Sequence, residues 1–312
     1  VTGTESTFTA VGSQCRIVVV HCDDPGPLLE EGRVLVEQLE AAWSRFRPTS
    51  ELRALDDRGG LATPLTAPTY AVMELALAAW VATGGRFDPT VRDAVERAGY
   101  DRSFEELDLG AVRVGAASGP APGCAGVILD PHSRAVTLPT GVRLDLGGIG
   151  KGRMADLVHA RLLALGAAGV CVDLGGDVRV GGEAPQGSTW PIAIDAPFDP
   201  GSTIGVLDLV DGAVATSSRL RRRWIGPDGV HAHHIIDPST GAPSASEIVA
   251  ATVVAGEAAW AEAYAKAVLV AGVAEGVALV AEADLAAVIV TEGGDVLTAG
   301  PADRFLRPTV SA

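Results

Sequence analysis

The chain lacks the cysteine patterns that mark a disulfide framework or a structural zinc site. Its four cysteines, Cys15, Cys22, Cys124 and Cys171, form no CxxC pair and no zinc spacing. Cys15 and Cys22 could meet across a strand, but nothing compels a bond, and free, mostly buried thiols in a reducing compartment are expected. No run of 18 uncharged apolar residues is present. The richest stretch, residues 263–281, is broken by Lys266, two glycines and Glu275, so no membrane span is expected. The start VTGTESTFTA has no basic cluster followed by an apolar core, so a cytoplasmic protein is expected unless a leader was removed before Val1. Positive charge is also short: 24 Lys and Arg face 39 Asp and Glu, a net charge of −15. That excludes wholesale nucleic-acid binding and gives no preference for an anionic membrane surface.

What is present is enough apolar sequence for a large core: 312 residues, 47% hydrophobic. Residues 28–43 repeat apolar positions at helical spacing, and residues 69–82 form a second helix ended by Gly84-Gly85. A short helix at 91–98 follows, then an irregular Gly/Ala/Pro-rich connection over 110–126. A hairpin is expected over 127–138, a strand at 144–146 and a helix over 154–165. Short strands near 16–20, 170, 178, 190, 204, 214, 221 and 249–254, helices over 257–270 and 273–281, and strands at 286–290 and 295–298 complete the pattern. Helices and hairpin-spaced strands mix without regular β-α-β alternation. The fold class is therefore α+β, with mixed, largely antiparallel sheets flanked by helices. No linker or tandem repeat stands out, so residues 1–312 read as a single domain of two intimate lobes.

Two motifs stand out. The first is LDLGGIGKGRMAD at 144–156. Its glycine loop, 147–152, is not a phosphate loop, because Asp145 stands where GxxxxGK needs glycine and Gly152 where it needs Ser or Thr. It can bring backbone close to a ligand and offer helix N-terminal N–H groups to an anion, or simply make a tight strand-to-helix turn. The second is HHIIDPSTG at 233–241. Its Asp-Pro-Ser-Thr-Gly end is turn chemistry. His234, on a strand, suits either proton transfer or a satisfied place in the core. His231 and His233 are expected on the opposite, surface-facing side. Arg219, Arg221 and Arg223 would share one strand face, to meet a diphosphate, an acidic partner or solvent.

These motifs, with Val11-Gly12-Ser13, Ser44-Arg45-Phe46 through Ser50-Glu51, Gly85-Arg86-Phe87-Asp88-Pro89-Thr90-Val91, Gly175-Gly176-Asp177 and Ala215-Thr216-Ser217, resemble the ApbE family of FAD:protein FMN transferases from about residue 8 to 300. The resemblance implies FAD as cofactor substrate, a client flavoprotein as partner and Mg²⁺ at the diphosphate. It implies flavin contacts at Val11, Phe46, Arg86, Phe87, Asp88, Asp145, Lys151 and Ile235, proton transfer by His234, and metal ligation by the Gly148 carbonyl and by the helix carrying Glu262. Asp156 would order the glycine loop. On that helix the family pattern has an aspartate and a threonine. Here Glu262 and Lys266 stand in their places, one helical turn apart and able to pair. A protonated lysine has no lone pair for a metal. The metal site therefore reads as weakened or absent, with Lys266 in the metal's space. The alternatives to a transferase are an FAD-binding protein without turnover and an FAD diphosphatase.

Overall fold

The computed structural model describes residues 3–20, 24–107, 119–226, 229 and 231–307. Cys22 and most of the 110–126 connection lie outside the described residues. The chain begins with β1 (Thr4–Ala10), β2 (Ser13–Val20), α1 (Pro25–Trp43) and α2 (Glu51–Asp57). Next come β3 (Thr63–Pro64), α3 (Ala67–Ala82), α4 (Arg92–Arg97), β4 (Ile128–Asp130), β5 (Ala135–Thr137) and α5 (Gly150–Ala164). A run of strands follows: β6 (Gly169–Leu174), β7 (Asp177–Gly182), β8 (Trp190–Asp195), β9 (Thr203–Leu209), β10 (Gly212–Ser218), β11 (Arg223–Ile225) and β12 (His231–His233). After β13 (Ile236–Asp237), β14 (Ala242–Pro243) and β15 (Ile248–Ala255) come α6 (Ala258–Ala271), α7 (Val273–Glu282), β16 (Ala286–Thr291), β17 (Val296–Ala299) and β18 (Leu306–Arg307).

The chain divides into two compact units, residues 1–37, 151–218 and 247–312 in the first and residues 38–150 and 219–246 in the second. The first is built on an eight-stranded sheet in the order β1-β2-β6-β7-β10-β15-β16-β17, every neighbouring pair antiparallel. The β15 sequence IVAATVVA is buried along its whole length, as a strand covered on both faces must be. Helix α6 lies against β10 and β15 on one side. On the other, Val178, Val180, Val214 and Val254 pack with Trp190, Ile194, Leu207 and Leu209 from the sheet β18-β9-β8. The β1–β2 hairpin closes on Val11-Gly12, both at positive φ (50° and 63°) between paired Ala10 and Ser13, the backbone a two-residue hairpin turn requires.

The second unit holds α2, α3, α4 and three small sheets, β3-β5-β4, β11-β12 and β13-β14. Its core includes Val95, Tyr100, Leu107, Trp224, Ala232 and Ile236. The α+β class and the antiparallel sheets are as expected. Residues 144–146 are not a strand. Leu144 and Leu146 are buried in strand-like alternation, but the Leu144 N–H goes to the Asp56 carboxylate (3.4 Å) and the Asp145 N–H to the Pro89 carbonyl (2.8 Å). Those donors are spent before any neighbouring strand can use them. Helix α5 starts inside the glycine loop, because the Leu146 carbonyl accepts both the Ile149 and Gly150 N–H groups (3.1 and 2.7 Å). Among the described residues no helix is long and apolar enough to cross a membrane.

Candidate functional site

In the first unit, α5 and α6 meet backbone to backbone at Gly152. A Cβ there would lie 2.3 Å from the Ala258 carbonyl oxygen, so this glycine serves helix contact. Each helix caps the other. Asp156 on α5 accepts the Ala258 and Ala259 N–H groups that open α6 (2.7 and 3.1 Å), rather than ordering the glycine loop as expected. Glu262 on α6 accepts the Gly152 N–H in the first turn of α5 (2.9 Å). First-turn N–H groups have no partner within their own helix, so both carboxylates meet a need the helices create.

The same Glu262 anchors a cluster of four charges. Lys151, in the first turn of α5, donates to Glu262 Oε1 at 2.9 Å. Lys266, one turn along α6, donates to the same oxygen at 3.1 Å. Lys151 also pairs with Asp177, the first residue of β7. Asp177 is placed by the Gly175-Gly176 turn, both at positive φ, with the Gly176 N–H held by Asp173 (2.7 Å).

Burial pushes the Glu262 carboxyl up, but Lys151, Lys266 and the Gly152 N–H outweigh it and hold it at about 2. Asp177 is pushed up to about 6, by burial first and by the charge of Glu262 next. Burial disfavours the Lys151 ammonium, but Asp177 and Glu262 prevail and keep it protonated.

These residues do not suit Mg²⁺, which needs oxygen ligands in near-octahedral geometry. Both Glu262 oxygens already accept hydrogen bonds, and an ammonium stands at position 266. Among the described residues no group of three or more His, Cys, Asp or Glu could hold a metal.

In the second unit the flavin contacts expected from the sequence fall around Arg45 and the 84–90 turn. The Arg45 guanidinium lies over the Phe46 and Tyr100 rings (4.3 and 4.7 Å), donates to the Tyr100 carbonyl (2.9 Å) and pairs with Asp145 (3.2 Å). Asp145 also accepts the Gly147 N–H (2.7 Å), fixing the turn that contains Gly148. Arg45 thus joins Phe46 to Asp145. Asp88 accepts the Thr90 N–H and hydroxyl (2.7 and 2.6 Å) and the Trp80 indole (3.2 Å), while burial raises its pKa. Phe87 is buried, and Arg86 half-buried.

His234 lies half-buried at a bend between β12 and β13, not on a strand. His233 is buried rather than surface-facing. Its Nδ1 accepts the Ile235 N–H (3.3 Å), so Nε2 carries the proton toward the Ser244 carbonyl (3.1 Å). Burial lowers its pKa to about 4. Ile235 is buried and His231 exposed. Arg219, Arg221 and Arg223 share no strand face, since a turn with Arg222 at φ 49° separates β10 from β11. Val11 and Lys151 belong to the first unit and the other expected flavin contacts to the second.

Reading the sequence missed Asp177 as a partner of Lys151, and Arg45 as the hub of the second unit. One signal for the first was available. Lys151 and Lys266 are the only lysines among the 24 Lys and Arg residues.

The fold is an antiparallel α+β scaffold whose helices α5 and α6 hold a lysine–carboxylate cluster. Residues 11–303 match the sequence profile of the ApbE family, and the chain belongs to that family. It is 29% identical over 303 residues to the FAD:protein FMN transferase of Treponema pallidum, covering 87% of this chain and 80% of that protein. It is also 29% identical over 258 residues to the FAD:protein FMN transferase of Vibrio cholerae, covering 80% of this chain and 75% of that one. The crystal structure of the ApbE protein from Thermotoga maritima superposes with a TM-score of 0.86 at 28% identity, over 98% of this chain and 99% of that one.

Proposed function

We infer that this chain is an FAD:protein FMN transferase. The observation that carries the reading is the match of residues 11–303 to the ApbE family, with relatives named for this activity. In the reaction, a Thr or Ser hydroxyl oxygen of a client flavoprotein attacks the FMN phosphorus of FAD. The P–O bond to AMP breaks, AMP leaves, and the hydroxyl proton passes to a base. His234 is the proton-transfer group of this proposal, because an imidazole titrates near neutral pH. Val11, Phe46, Arg86, Phe87, Asp88, Asp145, Lys151 and Ile235 are its flavin contacts. A cytoplasmic location belongs to the same reading, supported by the free thiols of Cys15, Cys124 and Cys171.

A second reading is favoured by one feature, the Glu262–Lys266 pair where the family pattern carries metal ligands. In it, water replaces the client hydroxyl and FAD is hydrolysed to FMN and AMP, or FAD is bound without turnover. Incubation with FAD, with and without a client protein, separates these outcomes by AMP release and by an FMN-sized mass increase on the client. His234→Ala is expected to lower turnover by about 10²–10⁴-fold, with FAD affinity within about threefold of the parent. Turnover at the parent rate would remove His234 from the reaction.

A further inference from the structure

Wherever else this chain places a positive side chain it uses arginine, yet its two lysines converge on one carboxylate. The types are not interchangeable. A guanidinium is a flat fork of five donors, whereas an ammonium is a compact point charge with three. Only the compact cation approximates the shape of a metal ion.

The layering of the cluster matters as much. Glu262 and Asp177 side chains are 1% and 4% exposed, while those of Lys151 and Lys266 keep 19% and 18%. The carboxylates lie beneath and the ammoniums outside. A cation arriving from solvent meets two positive charges before any carboxylate oxygen. An anion meets N–H donors. Among the described residues Lys266 spends one of its three donors, on Glu262.

We propose that Lys151 and Lys266 form a metal-free seat for a diphosphate, their two ammoniums supplying the charge that a divalent ion would otherwise bring. The ligand class is a nucleotide or dinucleotide diphosphate held through its non-bridging oxygens. This rests on the reading that the chain takes FAD and extends it, since FAD is then held without Mg²⁺. Asp177 and Glu262 gain a clear use. They hold two mutually repelling ammoniums near one another in a largely buried place.

The test uses the full chain with lysines labelled by carbon-13 at Cε, giving two lysine signals assigned with Lys266→Met. Inorganic pyrophosphate and FAD are titrated in EDTA, and Mn²⁺ is added separately to ligand-free protein. Both ligands should move the Lys266 signal in EDTA, and Mn²⁺ should broaden neither lysine. FAD affinity should differ by less than about threefold between EDTA and Mg²⁺, and Lys266→Met should weaken it by about tenfold or more. FAD binding that requires Mg²⁺, or Mn²⁺ broadening of both lysines, overturns the proposal. So does FAD bound in EDTA with both signals unmoved, an outcome that leaves the FAD reading intact. If pyrophosphate moves the Lys266 signal while FAD binds under neither condition, the diphosphate seat stands and FAD fails as its occupant. The labelled parent protein decides these points even if Lys266→Met does not fold.

Discussion

The two units hold their buried charges in opposite ways. In the second unit the buried cations are arginines that bridge several partners each. Arg92, 2% exposed, pairs with the equally buried Asp56, donates to Glu96 (2.9 Å) and reaches the Arg45 carbonyl (3.3 Å). Arg143 ties Glu96 to Asp93 at 2.7 Å each, and Arg45 joins a carboxylate, a carbonyl and two aromatic rings. Each planar fork bridges several elements, which suits a scaffold. In the first unit Arg179 likewise bridges Asp211 and the Gly212 carbonyl (2.9 Å each), but at Glu262 the cations are two lysines gathered over two carboxylates, and among the described residues Lys266 makes a single hydrogen bond. The arginines bridge structural elements, whereas both lysines converge on the one Glu262 carboxylate.

The comparison breaks most directly at Arg92. Arg92→Met strips the partner from buried Asp56 and should cost about 3–5 kcal/mol, read by urea denaturation. A loss below about 1 kcal/mol, the level of an exposed pair, would show that the network is not structural.

Next in size is Gly152→Ala. A Cβ that would lie 2.3 Å from a backbone oxygen forces α5 and α6 apart, at about 1–3 kcal/mol or more. It should also pull Lys151 from Glu262. Unchanged stability would mean that the helix contact is not as tight as described.

Third is a slope with pH. Burial raises Asp156 to about 6 despite its bonds to the Ala258 and Ala259 N–H groups. Between its ordinary value near 3.8 and 6 the folded state binds more protons than the unfolded chain, so this group makes stability fall as pH rises, by at most about 1.4 kcal/mol per pH unit. Glu262, held at about 2, works the other way, losing its contribution as pH falls from about 4.5. Asp156→Asn removes the first effect alone. The parent should therefore gain stability relative to the variant as pH drops from 7 to about 4.5. A flat or opposite trend in paired denaturation curves counts against the assignment.

The smallest effect sharpens the contrast. Lys266→Met leaves Glu262 bonded to Lys151 and Gly152, so no buried charge is left uncompensated and its stability cost should stay well below that of Arg92→Met. A cost equal to that of Arg92→Met would make Lys266 a structural ion like the arginines.

Much of this was legible in the sequence because it is local. Apolar spacing marked α1, α3 and α6, and the i,i+4 spacing alone put Glu262 and Lys266 on one face. Turn residues marked Gly84-Gly85 and the Asp-Pro-Ser-Thr-Gly end, where Asp237 accepts the Ser239 N–H and hydroxyl (2.9 and 2.7 Å). Strand β1 and helix α2 were less visible. The first is polar on its open face, and the second is seven residues long and rests on one cap, the Ser50 hydroxyl on the Arg53 N–H (3.1 Å).

The sequence by itself determined the α+β class, the family and the placing of Glu262 and Lys266 one helical turn apart. Those follow from periodicity and from the order of short motifs, which need no knowledge of distant contacts. Tertiary structure alone decided that Lys151 reaches Glu262 across 111 positions and Asp177 across 26, and that Gly152 serves a helix crossing. It also decided that the carboxylates lie under the ammoniums. Such convergence depends on how α5, α6 and β7 pack, and helical or strand spacing carries no information about which distant side chains will share one buried place.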